Sequence, residues 1–295
     1  MTACGKSTAS YAPASISNLG PGFDVLGIAI DEPGDYVTAS VCPEHGLDFS
    51  VRTRQAGIPT DARNNVAAHV ASLMLDEFRP PFGIRMILHK QMPVGSGLGS
   101  SAASSVAAAV ALNALLPKPL EKYQLLKFVV EGERKASGSP HADNAVPSLM
   151  GGAWLIRSYD PLDVFSIPIR NTVTWIVVHP HCVVGTREAR AVLPKSIPLK
   201  KAVRQWGNVG GLTAGLITGN IRLMGRCMED VIVEPVRARM IPGFDEVKQS
   251  AFDAGAAGCS ISGSGPSMFA IAPSIAVARN IARAMHRTFK RVANL

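Results

Sequence analysis

Short apolar runs alternate with turns through the N-terminal third of the chain, and the period-two spacing of Ile84, Met86 and Leu88 marks one strand directly. The same pattern predicts strands over 25–30, 36–41 and 47–51. Between these runs, 66–78 carries apolar residues at helical spacing, with Asn64 and Asn65 as a start signal and Pro80-Pro81 as a stop. Ala, Val and Leu dominate 104–116, a helix that must end at Pro117. Another helix over 121–136 closes at Gly138. Beyond Gly151-Gly152, strands are predicted over 153–156, 164–167, 173–178 and 268–272, and helices over 199–218, 221–231, 244–254 and 275–289. The sum is an α+β chain without internal repeats. A domain boundary is expected near Asp160-Pro161, giving 1–160 and 161–295.

Composition narrows this picture mainly by exclusion. At 295 residues and 47% hydrophobic, the chain can bury a full core. A net charge of +8 would suit nucleic acid, yet the basic residues are scattered and not interleaved with aromatics, so no nucleic-acid partner is expected. A positive field attracts acidic small molecules equally well. Arg279, Arg283, Arg287 and Arg291 recur at helical spacing and read as one solvated face. Cys4, Cys42, Cys182, Cys227 and Cys259 are odd in number and widely separated, which gives no disulfide framework and fits a reducing compartment. The start of the chain has no secretory-signal pattern and no run is long enough to span a bilayer, so the cytoplasm is the expected location, with no membrane partner. His179-Pro180-His181-Cys182 lacks the matched second half of a zinc site. A serine hydrolase is excluded in its simplest form by the lack of a Gly-x-Ser-x-Gly elbow.

The chemistry concentrates in Pro93-Val94-Gly95-Ser96-Gly97-Leu98-Gly99-Ser100-Ser101-Ala102. Alternate glycines allow sharp turns and positive φ, so that successive N–H groups can converge on an anion, and the helix that follows adds its own unpaired N–H groups. A phosphate cradle is the expectation. It is not a Walker A loop, because Gly99 is followed by two serines instead of Lys-Ser/Thr, and the glycine spacing does not fit the dinucleotide fingerprint.

Two further landmarks complete a set. One is Ala12-Pro13-Ala14-Ser15-Ile16-Ser17-Asn18-Leu19-Gly20-Pro21-Gly22-Phe23-Asp24-Val25-Leu26-Gly27, and the other is Gly258-Cys259-Ser260-Ile261-Ser262-Gly263-Ser264-Gly265-Pro266-Ser267. Together the three segments resemble the signature motifs of the GHMP kinases, in order and over nearly the whole chain. The resemblance implies a GHMP kinase fold: a ribosomal protein S5 domain 2-like, ATP-binding N-terminal domain over 1–160 and a ferredoxin-like C-terminal domain over 161–295. His141-Ala142-Asp143-Asn144, Glu234-Pro235-Val236-Arg237 and Ile241-Pro242-Gly243 are similar to the branch that phosphorylates the hydroxyl of L-homoserine on the route to threonine.

That resemblance implies ATP and Mg²⁺ as cofactors. ATP would meet Asn65, Lys90, Pro93, Val94, Gly95, Ser96, Gly97, Leu98, Gly99, Ser100 and Ser101, and Mg²⁺ would be held by Ser101 and Glu133. The acceptor would meet Asn18, Asp24, His141, Asn144, Arg190, Arg237 and Gly263, with Arg190 and Arg237 on its carboxylate and Asp24 on its ammonium. Arg187 and Arg239 are the competing clamps, and Glu131 competes with Glu133. The catalytic set is then Asn144, Glu133 and Ser101. Because Asn144 stands where relatives place an aspartate, and asparagine cannot accept a proton, the pattern implies catalysis without a protein base, with Asp143 as the alternative. Other readings are a GHMP kinase of the mevalonate or shikimate type and a nucleotide-binding regulator without turnover. A substrate without an amine would leave Asp24 unpaired, and a regulator would be expected to lose the loop serines or Glu133. A homodimer is left open.

Overall fold

The computed structural model describes residues 5–170 and 173–293, so Cys4 lies outside the described residues. The α+β expectation holds. Two compact units divide the described residues: one comprises 5–15, 29–94 and 99–151, the other 16–28, 95–98, 152–170 and 173–293.

In the first unit, β3 (Leu47–Thr53) and β4 (Gly83–Lys90) pair in parallel from Leu47↔Ile84 to Thr53↔Lys90, joined by the crossover helix α1 (Val66–Phe78). The strand β2 (Leu26–Cys42) pairs antiparallel with β4 from Tyr36↔His89 to Cys42↔Gly83, and β1 (Ser7–Ser17) pairs with β2. The sequence pattern splits β2 in two, but Asp31–Pro33 form only an exposed stretch within one continuous strand. The helix α1 starts where the Asn65 side chain accepts from the Ala67 N–H, and stops at Arg79 in the left-handed conformation just before Pro80. Its neighbours are α2 (Ser100–Leu115) and α3 (Lys122–Ser137), and α4 (Ala142–Met150) packs on both of those. The helix α2 is buried on almost every side, which its small alanines and serines permit by letting three other helices approach closely. It begins at Ser100 instead of Ser104, because left-handed Gly99 turns the chain directly into helix.

In the second unit, Leu26–Ile28 of β2 pair with β5 (Ala153–Tyr159), which forms an antiparallel pair with β6 (Leu162–Ile167). A separate antiparallel sheet runs β7 (Thr174–Val178), β9 (Met268–Ala272), β8 (Gly258–Ile261). Between β7 and β8 in sequence lie α5 (Thr186–Ala191), α6 (Leu199–Thr218), α7 (Ile221–Cys227), α8 (Glu234–Arg237) and α9 (Phe244–Asp253), and α10 (Ile275–Ala293) follows β9. The helix predicted over 221–231 ends early because the Asp230 carboxylate accepts the N–H groups of Ile232, Val233 and Glu234 and redirects the chain into α8. Ala278, Ile281, Met285 and Phe289 of α10 pack with Phe244, Val247 and Ala251 of α9 in the core over this sheet. The opposite face exposes Arg279, Arg283, Arg287 and Arg291 to solvent.

This packing predicts that Phe289→Ala will destabilise the protein by about 3–5 kcal/mol through loss of a fully buried ring, whereas Arg283→Ala will stay within about 0.5 kcal/mol. Chemical denaturation midpoints of the two variants measure the contrast.

Candidate active site

The glycine loop turns its backbone inside out. Gly95, Gly97 and Gly99 have φ of 63°, 75° and 66°. The Gly97 carbonyl accepts from Ser262 Oγ at 2.7 Å, that of Ser96 from the Ser267 N–H at 3.3 Å, and that of Gly95 from the Val184 N–H at 3.4 Å. With the carbonyls bound to protein, the N–H groups of Gly97, Leu98 and Gly99 donate to no acceptor among the described residues. The next residue opens α2, which has no side-chain cap, so its first N–H groups and positive dipole end continue the same donor row. Such a row has the chemistry that suits an anion. Neither Gly97 nor Gly99 has room for a side chain: a Cβ on Gly97 would strike the Ser262 carbonyl and lie 2.7 Å from that of Gly265, and one on Gly99 would strike Ser15 Oγ and lie 2.8 Å from Asn144 Oδ1. Pro93 and Val94 lead into the loop at the surface, while Ser96 is buried with its hydroxyl unpartnered among the described residues.

Glu133, on α3, is buried, and burial pushes its carboxyl up to about 7 against the opposing effects of the Ser101 hydroxyl and the Lys90 charge. Its Oε1 has no hydrogen-bond partner among the described residues, and its Oε2 lies 3.9 Å from His141 Nδ1. A desolvated carboxylate with an unused oxygen, next to a hydroxyl and close to a phosphate-type loop, suits one hard cation that takes most of its ligands from phosphate and water. The described residues contain no cluster of three or more His, Cys, Asp or Glu that could hold a metal ion. Glu131 instead pairs with Arg134 at the surface.

Lys90 and Asn65 are both buried and bonded within the first unit. Lys90 is buried, and its ammonium donates to the Asp35 carboxylate, to the Ser100 carbonyl at 2.7 Å and to Ser104 Oγ at 3.0 Å. Asn65 is also buried, with Oδ1 capping α1 and Nδ2 donating to the Pro59 carbonyl at 2.7 Å. Both side chains tie scaffold elements together.

The second unit assembles most of the expected acceptor residues. Asn18 Nδ2 and Arg237 Nη1 both donate to the Gly263 carbonyl, each at 2.9 Å, and Arg237 Nε donates to the Ala189 carbonyl at 3.0 Å. Asn18 Oδ1 accepts the Asp24 N–H at 3.1 Å and so holds Asp24 at φ 59°. Both Asp24 oxygens accept from Arg190 Nη2, at 2.8 and 2.9 Å. Both guanidinium groups lie over the Phe23 ring, at 5.2 Å for Arg190 and 5.1 Å for Arg237. Arg187 and Arg239 are exposed and take no part in this arrangement around Phe23 among the described contacts.

The remaining candidates sit on or beside α4. His141 precedes the helix with Nδ1 2.9 Å from Ser137 Oγ, Asn144 Oδ1 accepts from Ser15 Oγ at 2.9 Å, and Asp143 is buried at 2% exposure. Sequence reasoning missed Asp35, Ser104, Ser15 and Phe23. Asp35 was within reach, since it stands in phase with Val37, Ala39 and Val41, all on the buried face of β2.

Two family models match this chain: the GHMP kinases N terminal domain over 65–152 and the GHMP kinases C terminal domain over 212–291. The fold and the loop therefore define a GHMP kinase. A homoserine kinase of Chloroherpeton thalassium is 48% identical over 98% of this chain and 94% of its own length, and one of Pyrococcus abyssi is 39% identical over 96% and 92%. The crystal structure of homoserine kinase from Cytophaga hutchinsonii superposes with a TM-score of 0.92 at 48% identity, covering 97% of this chain and 91% of that one. The L. major mevalonate kinase, at 18% identity and a TM-score of 0.75, shares the fold. The chain belongs to the homoserine kinase family.

The loop geometry predicts that Gly99→Ala will weaken ATP binding at least about tenfold, through left-handed strain and collision with Ser15 and Asn144. Calorimetric titration with ATP reads the effect, and wild-type affinity would contradict it.

Proposed function

We propose that this enzyme transfers the γ-phosphoryl group of ATP to the side-chain hydroxyl of L-homoserine, giving O-phospho-L-homoserine for threonine biosynthesis. The observation that carries this reading is the Asp24–Arg190 pair standing beside Arg237. One carboxylate and two guanidinium groups complement an α-amino acid, whose ammonium would face Asp24 and whose carboxylate would face Arg190 and Arg237. The pair is about a third exposed, so its own attraction is weak and an incoming zwitterion can exchange partners with it. Asn18 and Asn144 are assigned to the hydroxyl side, Gly263 and His141 to the lining. An acceptor of the mevalonate or shikimate type has no ammonium to offer Asp24.

The row of loop N–H groups from Gly95 to Ser101 would hold the polyphosphate, and its fixed direction stabilises charge on the transferring group. Glu133 and Ser101 would hold Mg²⁺, which supplies neutralisation of phosphate charge when bound. No proton acceptor is assigned, since Asn144 cannot serve and a loose transition state does not require early deprotonation. A homodimer and a cytoplasmic location are compatible with this reading; among the described residues no helix is long and apolar enough to cross a membrane.

ADP release measured with homoserine, mevalonate, shikimate and galactose tests the assignment, with turnover expected on homoserine alone. Arg190→Leu and Arg237→Leu are each expected to raise the KM for homoserine about ten- to a hundredfold, as befits loss of a charge-assisted bond, while the KM for ATP moves far less. A parallel rise in both constants would remove these residues from the acceptor. Asp143→Asn is expected to cost well under the thousandfold that sits within the usual range (about 10²–10⁴) for loss of a general base, read from single-turnover rates. A larger loss in a folded variant would make Asp143 the base.

A further inference from the structure

Asp35 is fully buried in the middle of β2, and its carboxylate accepts four hydrogen bonds. Oδ1 takes the backbone N–H groups of Gln91 and Met92, at 2.9 and 3.1 Å, where the chain leaves β4. Oδ2 takes the Lys90 ammonium and, at 2.7 Å, the hydroxyl of Ser104 on the first turns of α2. Lys90 then passes the connection to the Ser100 carbonyl, one residue beyond Gly99. One carboxylate therefore grips both ends of the glycine loop.

Stability alone is a poor reason for this arrangement. Removing two charges from water is costly, and a buried pair is commonly no better for stability than apolar residues of the same size. Burial indeed pulls the Lys90 ammonium down from its ordinary pKa, with Asp35 opposing. What an apolar pair could not do is bind two N–H groups, one hydroxyl and one carbonyl at fixed directions.

We propose that Asp35, acting through Lys90 and Ser104, is a positioning residue that sets the span of the glycine loop and thereby its affinity for the nucleotide. Asp35 touches no substrate. The proposal rests on the loop being the phosphate site, so its test carries a control for that reading.

Steady-state constants for ATP and for homoserine, together with melting temperatures, are measured for Asp35→Asn, Ser104→Ala, the double variant Asp35→Asn/Lys90→Met, and Gly97→Ala. Asp35→Asn is expected to raise the KM for ATP about tenfold or more, with the KM for homoserine within about threefold, because the change acts on one ligand only. The double variant, which removes the unpaired buried ammonium, is expected to regain melting temperature without regaining affinity for ATP. Recovery of both together, an equal rise of both KM values, or wild-type constants in Asp35→Asn would overturn the proposal. If Asp35→Asn does not fold, Ser104→Ala decides, with a rise of about threefold or more in the KM for ATP expected and no change counting against it. An unchanged KM for ATP in Gly97→Ala would instead show that the loop is not the phosphate site, a separate failure.

Discussion

A cradle made of backbone N–H groups can be strong only if its carbonyls are satisfied elsewhere, and the inward bonding of the Gly95, Ser96 and Gly97 carbonyls meets that condition. Positive φ at three glycines makes this orientation accessible, and the lack of space for a Cβ at Gly97 and Gly99 keeps other residues out. The donors are then fixed before any ligand arrives. Preorganisation of this kind is the main contribution a protein makes to phosphoryl transfer, where there is little covalent chemistry for side chains to perform.

The scaffold behind the loop is unusually polar for a core. Asp35 on β2, Lys90 on β4, Ser104 on α2 and Glu133 on α3 are all nearly solvent-free. Each charge is stabilised by a fixed donor or by its neighbour, except at Glu133 Oε1. That exception is informative, because a buried carboxylate oxygen without a partner is costly unless something outside the chain completes it.

How much of this the sequence discloses depends on the kind of signal. The glycine ladder, the alanine helix and the amphipathic α10 are local patterns, and they were legible from Gly95, Gly97, Gly99 and from the spacing of Ile281, Met285 and Phe289. The motif resemblance placed Asn18, Asp24, Arg190 and Arg237 together, although they are far apart in the chain. Two side chains show what propensity cannot supply. Lys90 continues the Ile84, Met86, Leu88 alternation onto the buried face, yet lysine composition alone suggests an exposed end, and only its partner Asp35 explains the burial. Asn65 was read both as a helix start and as a nucleotide contact, and its Oδ1 makes the cap of the first reading. The continuous β2, the short α4 with Pro147 inside it, and the early end of α7 at Asp230 all depend on contacts distant in sequence, which period and propensity do not encode.

The central claim, transfer of phosphate to an amino acid's side-chain hydroxyl, is tested most directly by the chemical identity of the product. Phosphorus NMR of the enzyme with ATP, Mg²⁺ and L-homoserine should show one new phosphomonoester resonance, split by the adjacent side-chain methylene protons and growing in step with ADP. Growth of inorganic phosphate alone, or an ATP signal unchanged by homoserine, would contradict the account.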